Sequence, residues 1–399
     1  MSSVLRNCPM QTEGISFLLT LNCELGTVNL SSDTSKPRVF CAEASYDASL
    51  QQLVEEIFAT FPHNWQGKNV LVKPNILASH PPESAVTTHP ALVRSVVHVL
   101  KELGAQVIVG DNPGVGGYGQ SEKSAAECGL FEASQGCFLN LGHNPVQHKV
   151  RSRYFQSVAI SREVLEVDEV VNLPKLKTHS LTVLTGAIKN TFGYIVGGDK
   201  MRIHASCPTP MQFAEALVDV YSLRPPTLNI MDAVVAMQGN GPANGSPIRL
   251  GKILASDNAV SLDAIAVYFL GQRIKRVPHL EIAGKRGLGE TDPSRIIFPD
   301  NLTPVKGFRF PKTFVPGFTG FILNRYLSRW INCLPEVIPE SCKTCGLCAE
   351  HCPSGAMQMT GKGPVLKKEE CIHCYCCQEM CPEDAIRLSG RLFNFLKRD

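Results

Sequence analysis

Apolar positions between residues 37 and 300 alternate between two rhythms. Short apolar runs bounded by Gly, Pro or polar residues predict buried strands at 39–44, 69–73, 106–110, 157–160, 169–173, 227–230 and 248–255. Between them, residues 48–60 place Leu50, Leu53, Val54, Ile57 and Phe58 on one helical face. Residues 90–103 predict a helix with Pro90 in its first turn and Gly104 just past its end. Further helices are predicted at 181–191, 210–221 and 259–270. Strands separated by helices need crossover connections, which place strands parallel and cover both sheet faces. The expected fold class is therefore α/β: a three-layer domain with a mainly parallel sheet over residues 37–300.

The alternation stops after residue 300. Residues 301–339 carry Pro304, Pro311, Pro316, Pro335 and Pro339, a cluster of Phe308, Phe310, Phe314, Phe318 and Phe321, and a predicted short helix at 320–330. This stretch reads either as a linker packed on the body or as an apolar docking surface for a partner or membrane. Residues 1–36 hold an apolar patch at 15–21 but not the ordered regions of a secretory signal, so a weakly ordered extension is expected there. No apolar run reaches the length of a membrane span.

The last sixty residues change the picture. Cys342-x-x-Cys345-x-x-Cys348-x-x-x-Cys352-Pro353 recurs as Cys371-x-x-Cys374-x-x-Cys377-x-x-x-Cys381-Pro382. Three closely spaced thiolates can wrap one iron–sulfur cube while the fourth reaches the neighbouring one, as in two-cluster bacterial ferredoxins. The expected ligands are Cys342, Cys345, Cys348 and Cys381 for one [4Fe–4S] cluster, and Cys371, Cys374, Cys377 and Cys352 for the second. A zinc site needs only two C-x-x-C pairs and does not explain the doubled spacing. Cys376 is spare and expected to be a packed thiol; His351 and His373 flank the ligands. This module, a small α+β ferredoxin-like domain, is expected over 340–392, followed by a tail at 393–399.

Composition adds limits. The chain has 399 residues, 44% hydrophobic and 19% charged, which suits a large globular domain plus a small one. Its formal charge of +3 omits the clusters, each carrying about −2 when oxidised, so nothing points to nucleic acid. Sixteen cysteines, half of them placed as metal ligands, point to a reducing cytoplasm rather than a disulfide scaffold.

Seven segments along the body resemble the family called domain of unknown function 362. They are Leu71-Val72-Lys73-Pro74-Asn75, Ala85-Val86-Thr87-Thr88-His89-Pro90, Asp111-Asn112-Pro113-Gly114, Asn172-Leu173-Pro174-Lys175-Leu176-Lys177-Thr178-His179, Gly186-Ala187-Ile188-Lys189-Asn190, Met231-Asp232-Ala233 and Gly239-Asn240-Gly241-Pro242. The resemblance implies an iron–sulfur protein of redox metabolism and no particular substrate.

Ligands of open α/β sheets sit beyond the carboxyl ends of strands, where several of these segments are expected. Lys73 and Asn75 end one strand. The run 111–119, with Gly114, Gly116 and Gly117, follows another and is either a structural turn or an anion cradle; it fits neither G-x-G-x-x-G nor a P-loop. Lys175, Lys177, His179, Lys189, Lys200 and His204, with Asn190, form a cationic run that suits an anion: a flavin or deazaflavin phosphate, or a carboxylate substrate. The plainer reading is a solvated basic face. Candidate catalytic residues are Lys177, His179, Lys189 and Asp232. His179 is either a proton donor or a structural histidine, and Asp232 is either paired to a lysine, a metal ligand or a turn residue. The expected function is an oxidoreductase passing single electrons between a ferredoxin-like partner and an organic centre. The alternatives are a non-catalytic electron carrier or a cofactor- or metal-centre maturation protein.

Overall fold

The structure, a computed structural model, describes residues 36–113, 121–207, 209–311, 334–379 and 381–389. Strands β1 (Phe40–Glu43), β2 (Asn69–Pro74) and β3 (Gln106–Val109) come first; β4 (Pro145–Lys149) and β5 (Ser157–Ser161) form a separate antiparallel hairpin. Strands β6 (Glu169–Leu173), β7 (Lys175–His179), β8 (Val183–Thr185), β9 (Leu228–Asn240) and β10 (Asn244–Ser256) complete the body. The main sheet runs β1-β10-β9-β6-β2-β3, with β7 pairing β9 and β8 pairing β7. Strands β3, β2, β6 and β9 are parallel, and β10 and β1 add an antiparallel edge.

Both sheet faces are buried, which explains the near-continuous apolar runs. Val70 and Val72 of β2 pack with the helices Ser49–Thr60 and Pro90–Glu102, while Leu71 points the other way. On β9, Leu228, Ile230 and Val234 join that first layer. Met231, Ala233 and Ala236 alternate with them to meet the helices Pro210–Tyr221 and Ala259–Phe269. The sequence also sets the helix starts. Thr209 and Gln212 form a reciprocal capping box ahead of Pro210, and the Asn258 side chain accepts from the Ser261 N–H.

Four expectations need correction. Residues 157–160 form a strand outside the main sheet. The strand expected at 227–230 runs for 13 residues, so Asp232 lies within it rather than beyond it. Lys175–His179, expected to follow the carboxyl end of a strand, is itself a fully buried strand. Pro174 lacks an N–H for the ladder, but its carbonyl accepts from Asp232 and Lys175 pairs with Asp232 in unchanged register; the shift along β9 comes between Lys175 and Lys177. The helix expected at 181–191 shrinks to Ala187–Asn190, because 183–185 pair with the open edge of β7. Thr182, Val183 and Thr185 are β-branched, and the available edge decided the contest.

In the cluster module β11 (Leu334–Val337) pairs with β14 (Ile386–Ser389), and β12 (Met357–Thr360) with β13 (Gly363–Leu366). Two four-residue helices, Leu347–Glu350 and Cys376–Glu379, complete it. Phe308 and Phe310 meet at 5.1 Å between ring centroids and pack against the core beneath Ala259–Phe269. Phe314, Phe318, Phe321, the helix expected at 320–330 and nearly all of the N-terminal extension lie outside the described residues. Among the described residues, no helix is long and apolar enough to cross a membrane.

Candidate functional site

The carboxyl ends of β2, β6 and the neighbouring loops hold a buried polar layer. Lys73, with no exposure, pairs with Asp111 at 2.7 Å and donates to the Pro74 carbonyl. The other Asp111 oxygen accepts from the Ile76 N–H. A Cβ on Gly193 would collide with both Lys73 and Asp111, so glycine there lets backbone close over the pair. Beside it, four asparagines hand hydrogen bonds across the sheet. Asn75 donates to Asn190 (3.0 Å), Asn190 to Asn172 (2.7 Å), Asn172 to Asn229 (2.9 Å) and Asn229 to the Ser256 carbonyl. Amides in series satisfy one another in a low-dielectric layer and fix each side chain. Thus Lys73, Asn75 and Asn190 do converge.

Lys175 belongs to a second centre. Its amine contacts Asp232 at 2.8 Å, and both side chains are fully buried. Asp232 also accepts from the Tyr46 hydroxyl and the His89 N–H. The Tyr46 ring stacks on His89 with centroids 3.5 Å apart. Burial pulls the Lys175 amine down from its ordinary range and Asp232 opposes that; burial and Asp232 push the Tyr46 hydroxyl up. Of the readings open for Asp232, pairing with a lysine is the one observed.

Cations dominate a third group. Lys177 donates to the Val86 carbonyl at 2.6 Å. His179 is buried, and burial, then Lys189, Lys177, His204 and His279, hold its imidazole well below its ordinary range. It is therefore neutral near pH 7. Its Nδ1 accepts from the Leu181 and Thr182 N–H groups, which assigns the ring proton to Nε2. His179 thus carries a neutral imidazole N–H rather than an imidazolium acid. His204 and His279 are likewise buried and each pushed down to about 3, first by burial, then by Lys189 and, for His204, Lys200. Several buried polar atoms here have no protein partner: both ring nitrogens of His279, Nδ1 of His204 and the Thr185 hydroxyl. Buried orphans are rare in native proteins and call for a water or ligand.

Lys200 donates to the Asn112 and Pro113 carbonyls, tethering the segment that leads to residue 114. Gly114, Gly116 and Gly117 themselves lie outside the described residues. Burial, opposed by Asp111 and reinforced by Lys73 and Lys189, lowers Lys200 from 10.5 to about 7. A lysine depressed in the folded state contributes stability that is lost as pH falls from its unfolded pKa through its folded one. Stability should therefore rise with pH above about 7, by at most ~1.4 kcal/mol per unit from this group. Urea midpoints of wild type and Lys200→Met between pH 7 and 9 check this: the variant should lose that slope.

In the cluster module one cavity is lined by Cys342, Cys345, Cys348 and Cys381. Burial raises the Cys348 thiol, and Cys345, Cys381 and Cys342 raise it further. Burial raises Cys377 well above its usual range, and Cys374, Cys371, Cys352 and Cys348 add to that. Cys342, Cys345, Cys348 and Cys381, expected to form one set, line that one cavity. Among the described residues no three His, Cys, Asp or Glu side chains gather as a single metal ion would require. The backbone N–H of Met357 donates to Cys352, five residues before it, and that of Ala385 to Cys381, four residues before it. Such bonds tune cluster potential.

The loops between ligands need left-handed backbone. Thr344 and His373 occupy matching positions at φ 52° and 55°. At the next matching pair the repeats differ: Gly346 stands at φ 82°, Tyr375 at φ 60°. A left-handed conformation costs a residue with a Cβ roughly 1–2 kcal/mol, which glycine avoids. Tyr375 is nonetheless buried among body residues, together with Phe192, Ile203, Phe213 and Leu217. Cys376 is a packed thiol, 2% exposed.

Sequence reasoning named His89 and Asn172 only within the family segments and missed Tyr46, Asn229, Asp263 and His279. Asn172 carried a usable signal, a polar residue inside an apolar strand. Asp263 caps Ala187–Asn190 by accepting from the Ala187 and Ile188 N–H groups, and burial raises its carboxyl to about 7. His279 sits on an ordinary helix, Pro278–Lys285, and nothing local marks it.

Residues 70–268 match the family model described as Domain of unknown function (DUF362), and residues 341–385 match the 4Fe-4S dicluster domain. The thylakoid-associated protein sll1697 of Synechocystis is 29% identical over 254 residues, spanning 63% of this chain and 78% of that protein. The lactate racemase apoprotein of Thermoanaerobacterium thermosaccharolyticum aligns over 59% of this chain and 57% of its own, at 9% identity and a TM-score of 0.37, too low to carry an argument. Fold, cysteine geometry and these matches agree: the chain joins a DUF362 domain to a 4Fe-4S dicluster domain, and its role is iron–sulfur electron transfer.

Proposed function

We propose that the protein is an oxidoreductase that exchanges electrons with an anionic organic cofactor or substrate bound among Lys177, His179, Lys189, His204 and His279. Cys342, Cys345, Cys348 and Cys381 would hold one [4Fe–4S] cluster, and Cys371, Cys374, Cys377 and Cys352 the other. Each cluster, when bound, supplies one reversible electron. A two-electron acceptor would take two electrons and the matching protons while two reduced ferredoxin-type carriers are each oxidised by one; the reverse flow balances in the same way. A flavin or deazaflavin would couple one- and two-electron steps. The cysteine content suits a reducing cytoplasm.

The observation that carries this reading is the set of orphaned buried groups on His279, His204 and Thr185 beside Lys189. Neutral imidazoles offer N–H donors and lysines offer charge, the two contributions an oxyanion needs when it leaves water. Lys177 and Lys189 would supply the charge, His179 an Nε2–H donor. Lys73, Asn75, Lys175, Asn190 and Asp232 would hold the surrounding frame, and the lysine–carboxylate pairs keep that frame near neutral.

Flavin mononucleotide is the probe for the test. Titrated into anaerobic holoprotein, it should bind and be reduced when the clusters are reduced beforehand. Lys189→Ala should weaken binding about tenfold, the loss of one charge-assisted contact. Unchanged affinity in both Lys177→Ala and Lys189→Ala would sink the anion site, leaving a carrier with a structural body.

A further inference from the structure

The two halves of the cluster module are near-repeats in sequence, yet they meet the body differently. Where the first repeat has Gly346, the second has Tyr375, in the same left-handed conformation but with a large side chain. That ring is 7% exposed and sits in a hydrophobic cluster of the body with Phe192, Ile203, Phe213 and Leu217. Phe213 in turn stacks on His204 with centroids 4.2 Å apart, and Phe192 meets the same imidazole edge-on. Three residues after Tyr375, the Gln378 carbonyl accepts from Asn244 beside the turn joining β9 and β10. The first repeat offers solvent instead: Cys345 is exposed, and the cavity of the first cysteine set is lined only by module residues.

We propose that the cysteine set of Cys371, Cys374, Cys377 and Cys352 is the inboard centre, seated on the body through Tyr375, and that Cys342, Cys345, Cys348 and Cys381 form the outboard one. The inference rests on the two-cluster reading. A bulky residue at a strained φ is retained when its surroundings over-determine it, and here they do. The ring plugs the junction, excludes water between the second thiol loop and His204, and fixes the spacing between cluster and site. Tyr375 is a positioning residue. A carrier protein would meet the outboard set, whose loop faces water.

Electron paramagnetic resonance of the reduced holoprotein tests this without an activity assay. Cys345→Ser and Cys374→Ser assign each signal to its set. A soluble dysprosium chelate should then speed relaxation of the first-set signal several-fold more than that of the second. Tyr375→Gly relieves the backbone but removes the plug, so the second signal should become nearly as sensitive as the first; Tyr375→Phe should behave as wild type. Equal sensitivity of both signals in wild type, or no response to Tyr375→Gly, overturns the assignment. A wild-type iron content of one cluster rather than two overturns the two-cluster reading, and this inference with it.

Discussion

Asp232→Ala is expected to destabilise the body by about 3–5 kcal/mol, since removing one partner strands a buried charge. Lys175 and Asp232 have no solvent exposure, so water cannot replace the lost partner. The carboxylate also receives the Tyr46 hydroxyl and the His89 N–H, and both donors would lose their acceptor together with the ammonium. The pair ties β7 to β9 one residue past Pro174, just before the register shift between Lys175 and Lys177. Urea unfolding followed by circular dichroism measures the loss. The double variant Lys175→Met with Asp232→Leu should recover much of it, because an apolar pair leaves no uncompensated charge. If Asp232→Ala cost less than about 1 kcal/mol, the centre would be hydrated rather than sealed.

Removing iron is expected to unfold the cluster module while the body stays folded. The module's buried core is Cys348, Met357, Cys377 and Ile386, so half of it consists of thiols aimed at metal. Its strands are four residues long and pair only two by two. Segments this short do not stand alone, and metal binding supplies the missing free energy of folding. The body has its own two-faced core, built without any of the cluster cysteines. Hydrogen exchange before and after anaerobic chelation should show residues 334–389 losing protection, with 69–74 and 228–240 unchanged. Protection persisting in the chelated module would mean that its thiols pack as a self-sufficient core.

The body's layers and nearly all its long helices were legible because two-sided burial writes itself as apolar runs and capped amphipathic segments. Thr209, Pro210 and Gln212 announce one helix start, and Asn258 another. The dicluster domain was legible because the doubled cysteine spacing is specific to it, and residues 341–385 match that domain. The stretch from Pro174 to Asn190 was not. Its polar, β-branched residues look like a loop followed by a helix, and only the exposed flank of the 13-residue β9 turns them into strands. The cationic residues were visible in sequence, but their partners were not: Tyr46 stands 186 positions from Asp232 and meets it only through the fold. The difference between Gly346 and Tyr375 was readable from the repeat itself, yet its meaning needed the surface that Tyr375 enters.

The most direct test of the whole account is one anaerobic visible spectrum of the purified holoprotein, followed by extraction and addition of flavin mononucleotide to the reduced protein. The account predicts cluster absorption, about eight irons and eight sulfides per chain, and either an extractable anionic chromophore or reduction of the added flavin. Cluster absorption with nothing extracted and no flavin reduced would contradict it.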